Sequence, residues 1–248
     1  MRTEFETTRA RADVREALLL CAVTDRHWIT RDGLNPRGHE SNQWTLEDQV
    51  ADCIRGGATM IQLREKNLER AEFIALAKRI KAITAARGVP LIINDSLEVA
   101  LAAGADGLHI GQDDGAPDHI RKLLGLRAIL GVSAHSVEEA QAAERAGADY
   151  IGIGAVFPTG SKDGVSVLTP EAVRAIASSI TIPAVAIGGI TAENAARLSG
   201  LGLAGVAAIS AIFAEPDRVR EATARLTAAA RLVTGRPRVS GESAEAYQ

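Results

Sequence analysis

Short apolar runs alternate along the chain with longer stretches in which apolar residues recur every three or four positions. The first pattern suits strands buried on both faces and the second suits amphipathic helices, so the alternation predicts repeated βα units around a parallel sheet. Strands are predicted at Leu18 to Val23, Thr59 to Leu63, Leu91 to Ile93, Gly107 to Ile110, Ala128 to Val132, Tyr150 to Ile153, Ala184 to Ile187 and Gly205 to Ile209. Arg70 to Arg87 shows the helical period best, with Phe73, Ile74, Ala77, Ile80, Lys81 and Thr84 on one stripe and Lys78, Arg79 and Arg87 off it. Start and stop signals agree: Thr169-Pro170 opens one helix, Thr191 precedes Glu193-Asn194, and Gly88-Val89-Pro90 closes another. A recurring phrase leads from helix to strand at Gly57-Ala58-Thr59, Gly104-Ala105-Asp106 and Gly147-Ala148-Asp149, where each Gly suits a helix C-terminus.

Eight such units of about 30 residues predict an α/β fold of the (β/α)8 TIM-barrel type in a single domain. An open doubly wound sheet is the alternative, but no Gly-x-Gly-x-x-Gly follows the first strand. The polar stretch from Arg31 to Trp44 breaks the rhythm and predicts a long first βα loop, at about residues 26–44. Residues 1–15 and 235–248 carry little apolar periodicity and are expected to be flexible ends of a barrel spanning 16–234.

Composition narrows the classes. The chain has 248 residues, 28 Lys plus Arg against 31 Asp plus Glu, and only 3% aromatics. No basic stripe or aromatic platform suggests nucleic acid, and the longest apolar stretch, Leu201 to Ile209, is too short to span a bilayer. Cys21 and Cys53 lie in apolar segments without zinc or disulfide spacing and read as reduced packing residues. The acidic N-terminal segment does not resemble a signal peptide, so a cytoplasmic location is expected.

In a barrel, catalytic groups gather where strands end. Read in order, those positions carry Thr24-Asp25, then Gln62, Arg64 and Lys66, Asn94-Asp95, His109 with Gln112, Asp113 and Asp114, Ser133 and His135, Thr159, Ser161 and Lys162, Gly188-Gly189, and Ser210. Arg64, Lys66 and Lys162 with the amides of Gln62 and Asn94 suit a polyanion such as a diphosphate. Asp95 and Asp114 offer hard oxygen ligands suited to Mg²⁺. Backbone N–H groups around Gly188-Gly189 and after Ile209 suit a phosphate monoester, which points to two phosphorylated substrates or one with two charged ends.

Plainer readings stand beside these. Alternation of Gln62, Arg64 and Lys66 occurs in any solvated strand end, Asn94-Asp95 suits the N-cap of a helix near Leu97, Asp113-Asp114 suits a loop cap, and Gly188-Gly189 a simple turn. His109, between Leu108 and Ile110, fits a satisfied core histidine as well as a proton donor, while His27, His39 and His119 read as surface residues.

The ordered series of motifs resembles the thiamine phosphate synthase family over Ala22 to about Ala214. It runs Val-Thr-Asp at 23–25, Ile-Gln-Leu-Arg-Glu-Lys at 61–66, Ile-Ile-Asn-Asp at 92–95 and Asp-Gly-Leu-His-Ile-Gly-Gln-Asp-Asp at 106–114. Gly-Val-Ser-Ala-His-Ser at 131–136, Gly-Ala-Val-Phe-Pro-Thr-Gly-Ser-Lys at 154–162, Ala-Ile-Gly-Gly-Ile at 186–190 and Ile-Ser-Ala-Ile at 209–212 complete it. The resemblance implies a transferase that joins 4-amino-2-methyl-5-hydroxymethylpyrimidine diphosphate to 4-methyl-5-(2-phosphoethyl)thiazole, giving thiamine phosphate and pyrophosphate through a pyrimidine methylene cation. It implies that Gln62, Arg64, Lys66 and Asn94 hold the pyrimidine diphosphate, that Asp95 and Asp114 ligate Mg²⁺, and that Ser133 and Lys162 bind departing pyrophosphate. Thr159, Ser161, Gly189, Ile209 and Ser210 would line the thiazole phosphate side. Arg64, Lys66, Ser133 and Lys162 form the implied catalytic set.

Ser161 replaces the family's frequent Thr, Ala155 its frequent Pro, and the loop from Arg31 to Trp44 is longer than usual, which suggests a partial lid or a partner contact. Two other functions stay open. A thiazole tautomerase of the same superfamily would use His135 as proton carrier but would not need Asp95, Asp114 and Lys162. A noncatalytic sensor of phosphorylated thiamine precursors would bind without turnover. Neither nucleic acid nor membrane is an expected partner, and the sequence leaves homo-oligomerisation open.

Overall fold

A computed structural model describes residues 14–26, 44–160 and 166–235. Most of the long first loop, Ser161, Lys162, His27, His39 and the two terminal segments lie outside the described residues.

Eight strands close in sequence order into one parallel barrel: β1 Leu20–Val23, β2 Met60–Leu63, β3 Leu91–Asn94, β4 Gly107–Ile110, β5 Ile129–Ala134, β6 Tyr150–Gly154, β7 Ala184–Ile187 and β8 Gly205–Ala208. Around it lie α1 Leu46–Arg55, α2 Arg70–Ala85, α3 Leu97–Ala103, α4 Pro117–Leu124, α5 Val137–Arg145, α6 Pro170–Ser178, α7 Ser210–Phe213 and α8 Val219–Thr234. None of the described helices is long and apolar enough to cross a membrane.

The strand runs are apolar throughout because each strand buries both faces. Ile61, Leu63, Leu91, Ile93, Leu108 and Leu130 pack outward against the helices. Cys21, Val23, Met60, Ile92, Tyr150, Val185 and Ala207 fill the interior. The helix stripe of α2 holds at Phe73, Ala77, Ile80 and Thr84, while Lys81 leaves it to pair with Asp106 at 2.7 Å.

The helix-to-strand phrase has a common purpose at the N-terminal rim. Its third residue accepts a hydrogen bond from a backbone N–H of the preceding strand: Thr59 from Leu20 at 2.9 Å, Asp106 from Leu91 at 2.7 Å and Asp149 from Leu130 at 2.9 Å. The glycines before them have positive φ, +100° at Gly57, +63° at Gly104 and +93° at Gly147, which turns the chain from helix into barrel. Thr59→Val leaves the buried Leu20 N–H without its acceptor and is expected to cost about 1–3 kcal/mol in chemical unfolding.

Most strands differ from the sequence reading by about one or two residues at an end, and three departures bear on the fold. Leu18 and Leu19 are buried but precede β1, because Leu18 N–H turns back to Val14 O at 3.0 Å beneath the barrel. β5 runs on to Ala134, carrying Ser133 into the ladder opposite Gly152. After β7 the chain forms only a 3₁₀ turn, Ala195–Leu198, where Thr191 and Asn194 cap one another.

Candidate active site

The strand order places the C-terminal ends of all eight strands around one opening, which holds about 310 Å³ of open space. Every described residue expected from the sequence to bind substrate or metal lines it: Gln62, Arg64, Lys66, Asn94, Asp95, Asp114, Ser133, Thr159, Gly189, Ile209 and Ser210. Ser161 and Lys162 follow Thr159 and Gly160 directly in the chain but lie outside the described residues.

The end of β2 supplies one wall. Gln62 is buried in the barrel, its carbonyl oxygen facing the Cys21 thiol at 3.8 Å and its Nε2 donating to Asn94 Oδ1 at 2.7 Å. That bond leaves the Asn94 amide group to present its own N–H donors. Two residues on, Arg64 shares the inward face; its Nη1 donates to Asp25 Oδ2 at 2.9 Å and its backbone N–H to Thr24 Oγ1 at 3.0 Å. Glu65, the next residue, pairs with Arg26 at 3.0 Å. Burial pushes the Glu65 carboxyl above its usual range, against the opposing pull of Arg26. Lys66 is exposed at the rim and makes no ion pair with the described residues.

The β3 and β4 ends supply carboxylates. Ser96, not Asn94 or Asp95, caps α3 by accepting from Val99 N–H. Asp95 instead adopts the left-handed conformation, φ +67°, alone among the described non-glycine residues. Such a backbone state costs energy and is found where surrounding structure holds a side chain in place. Asp114 accepts from Gly111 N–H at 2.7 Å, so the loop-cap reading holds for it while it also lines the opening.

The β7 end supplies backbone. Gly188 and Gly189 have φ +102° and +65°, and a Cβ on Gly189 would sit 2.3 Å from Pro158 O. Only glycine lets this loop press against residues 157–158, just before Thr159. Asn194 Nδ2 fixes the loop by donating to Gly189 O at 2.8 Å.

The floor holds residues the sequence left undecided or did not single out. His109 from β4 and Tyr150 from β6 meet inside the barrel, with His109 Nδ1 2.9 Å from Tyr150 Oη and His109 Nε2 2.9 Å from Ser133 Oγ. Tyr150 opens an apolar strand, and nothing local marks it as part of the site. His135 stands at the rim beside Glu139, with its Nδ1 at 3.2 Å from the carboxylate. His119 is exposed on α4, as expected.

Comparisons with known proteins agree with this architecture. The family model described as thiamine monophosphate synthase matches residues 29–212. A thiamine-phosphate synthase of Ruminiclostridium cellulolyticum is 47% identical over 70% of this chain and 82% of its own length. One from Clostridium tetani is 45% identical over 73% of this chain and 87% of its own. The solved structure of a thiamine phosphate pyrophosphorylase from Pyrococcus furiosus superposes with a TM-score of 0.76 at 34% identity, over 89% of this chain and 98% of that one.

Proposed function

Because the chain belongs to the thiamine monophosphate synthase family, we propose that its rim pocket holds a pyrimidine diphosphate beside a thiazole phosphate and joins them there. The activity is thiamine phosphate synthesis, a transferase reaction of thiamine biosynthesis. What carries the residue assignment is the convergence of the amides, cations, carboxylates and glycine loop from different strand ends on one opening.

Gln62 and Asn94 act as a pair: one amide orients the other, which supports their reading as residues that hold the pyrimidine diphosphate. Arg64 and Lys66 face the diphosphate, with Ser133 and Lys162 at its departing end. Thr159, Ser161, Gly189, Ile209 and Ser210 take the thiazole phosphate.

The charge balance supports a metal. Asp95, Asp113 and Asp114 line the opening beside Arg64 and Lys66, and a diphosphate brought among three carboxylates is helped by a bound cation. No described group of three or more His, Cys, Asp or Glu is arranged around a metal, but Mg²⁺ commonly takes one or two carboxylates and completes its shell with water and phosphate oxygens. Asp95 and Asp114 fit that use and would hold Mg²⁺, which when bound neutralises diphosphate charge.

The cations at the β2 end then stabilise the negative charge that grows on pyrophosphate as the carbon–oxygen bond breaks. The aminopyrimidine methylene cation left behind is met by the thiazole nitrogen. That step needs alignment and dryness rather than a protein nucleophile, and Val185, Ile187, Ile190 and Ala207 give the pocket apolar walls. EDTA is expected to abolish turnover and added Mg²⁺ to restore it. Asp95→Asn should raise the Mg²⁺ concentration for half-maximal rate by roughly tenfold, the loss typical of an altered ligand sphere. An unchanged Mg²⁺ titration would remove Asp95 from the metal site.

A further inference from the structure

Behind Ser133 the barrel interior carries two residues to which the reaction gives no role, Tyr150 and His109, in a hydrogen-bonded chain Tyr150 Oη, His109, Ser133 Oγ. It is built into the packing. A Cβ on Gly131 would lie 2.2 Å from Tyr150 Cζ, and one on Gly152 would lie 3.0 Å from His109 Cε1, so glycines on β5 and β6 make room for both rings. Tyr150 is 1% exposed and His109 9%.

The direction of the chain follows from hydrogen accounting. Tyr150 has one O–H to place, and among the described residues His109 Nδ1 is the one partner of its hydroxyl. Burial, reinforced by Cys21 and Asp149, raises the phenol's pKa well above its usual value, so it keeps its proton. If His109 carried a proton on Nδ1, that N–H would donate to the phenol oxygen and the phenolic hydrogen would be buried with no acceptor, an expensive arrangement. A doubly protonated ring has the same fault. The economical state is a neutral imidazole whose Nδ1 accepts from Tyr150 and whose Nε2–H donates to Ser133 Oγ. Ser133 then has a lone pair engaged from behind, and its own hydrogen is left to point into the pocket.

We propose that Tyr150 and His109 are positioning residues that fix Ser133 as a hydrogen-bond donor toward the departing pyrophosphate. Each donor in the series polarises the next, so the Ser133 hydroxyl donates more strongly as negative charge grows on the leaving group. The inference rests on the reading of Ser133 as a pyrophosphate contact, and the experiments separate the two.

The tautomer is read from the imidazole nitrogen shifts of ¹⁵N-histidine-labelled protein, with His109→Gln identifying the signal among the five histidines. At neutral pH the expected state has Nε2 protonated and Nδ1 bare; a protonated Nδ1 overturns the proposal. In kinetics, Ser133→Ala and Tyr150→Phe are made singly and together. Tyr150→Phe should lower kcat about tenfold, less than the ~10²–10³ typical of deleting an oxyanion donor outright, with little change in KM. In the Ser133→Ala background, Tyr150→Phe should cost nothing further, because its effect passes through Ser133. If Ser133→Ala leaves kcat intact, the reading of Ser133 itself fails. If Ser133→Ala is costly and Tyr150→Phe adds its full cost on top, the relay fails and Tyr150 is a packing residue. His109→Gln, whose amide N–H occupies much the same place as Nε2–H, should keep more activity than His109→Leu; equal losses also count against the relay.

Discussion

Arg64→Ala is expected to lower kcat/KM for the pyrimidine diphosphate by about 10²–10³, the loss that follows removal of one well-placed charge donor from a partly dry site. Two effects add. The diphosphate loses a guanidinium, and Asp25, whose side chain is only 20% exposed, loses the cation 2.9 Å away that balances it. The Asp25 carboxylate, no longer offset by Arg64, would then stand near an incoming polyanion. Adding Asp25→Asn to Arg64→Ala should therefore recover part of the loss, whereas Arg64→Lys should recover little, because a lysine cannot hold Asp25 with one nitrogen and the diphosphate with others. Steady-state kinetics of the three variants checks this. A double variant worse than Arg64→Ala would show that Asp25 acts on substrate directly.

The largest stability loss is expected at the opposite rim. Arg121 on α4 is buried, and its guanidinium donates to Gly147 O at 2.9 Å, Gly125 O at 2.7 Å and Ala128 O at 2.8 Å while pairing with Asp149. Asp149 in turn holds Leu130 N–H at 2.9 Å. One side chain thus ties the end of α4, the start of β5 and the turn into β6. Arg121→Ala takes a donor from three carbonyls and the cation from Asp149, and chemical denaturation should show a loss of about 3–5 kcal/mol. Arg70, 67% exposed and paired with Glu98, also mostly exposed, joins α2 to α3 over solvent, and its removal should be nearly neutral.

The contrast between these two arginines shows what the sequence could and could not disclose. Strands buried on both faces write themselves as apolar runs, so all eight were legible, and Gly57, Gly104 and Gly147 marked the helix exits through their backbone demands. Alternation put Gln62, Arg64 and Lys66 on one face of a strand end, and closure of the barrel makes that face the one toward the opening. Partnerships that depend on closure were not. Asp25 and Arg64 meet because β1 and β2 pair, and His109 and Tyr150 meet across the interior from strands that are not neighbours in the barrel. The plain N-cap reading of Asp95 gave way to Ser96 because a cap needs an extended backbone, which Ser96 has at φ −102° and ψ 99°, whereas Asp95 sits at positive φ. The expected helix after β7 is a 3₁₀ turn, Ala195–Leu198, and the Asn194 side chain that precedes it caps Thr191 N–H and braces Gly189 O, contacts that no local pattern announced.

The most direct test of the whole account is to supply the purified protein with the pyrimidine diphosphate, the thiazole phosphate and Mg²⁺ and to quantify both products in the same reaction. Equal amounts of thiamine phosphate and pyrophosphate, formed only when both substrates and the metal are present, are predicted. Folded protein that binds these substrates yet releases neither product would contradict the account and leave a binding barrel in its place.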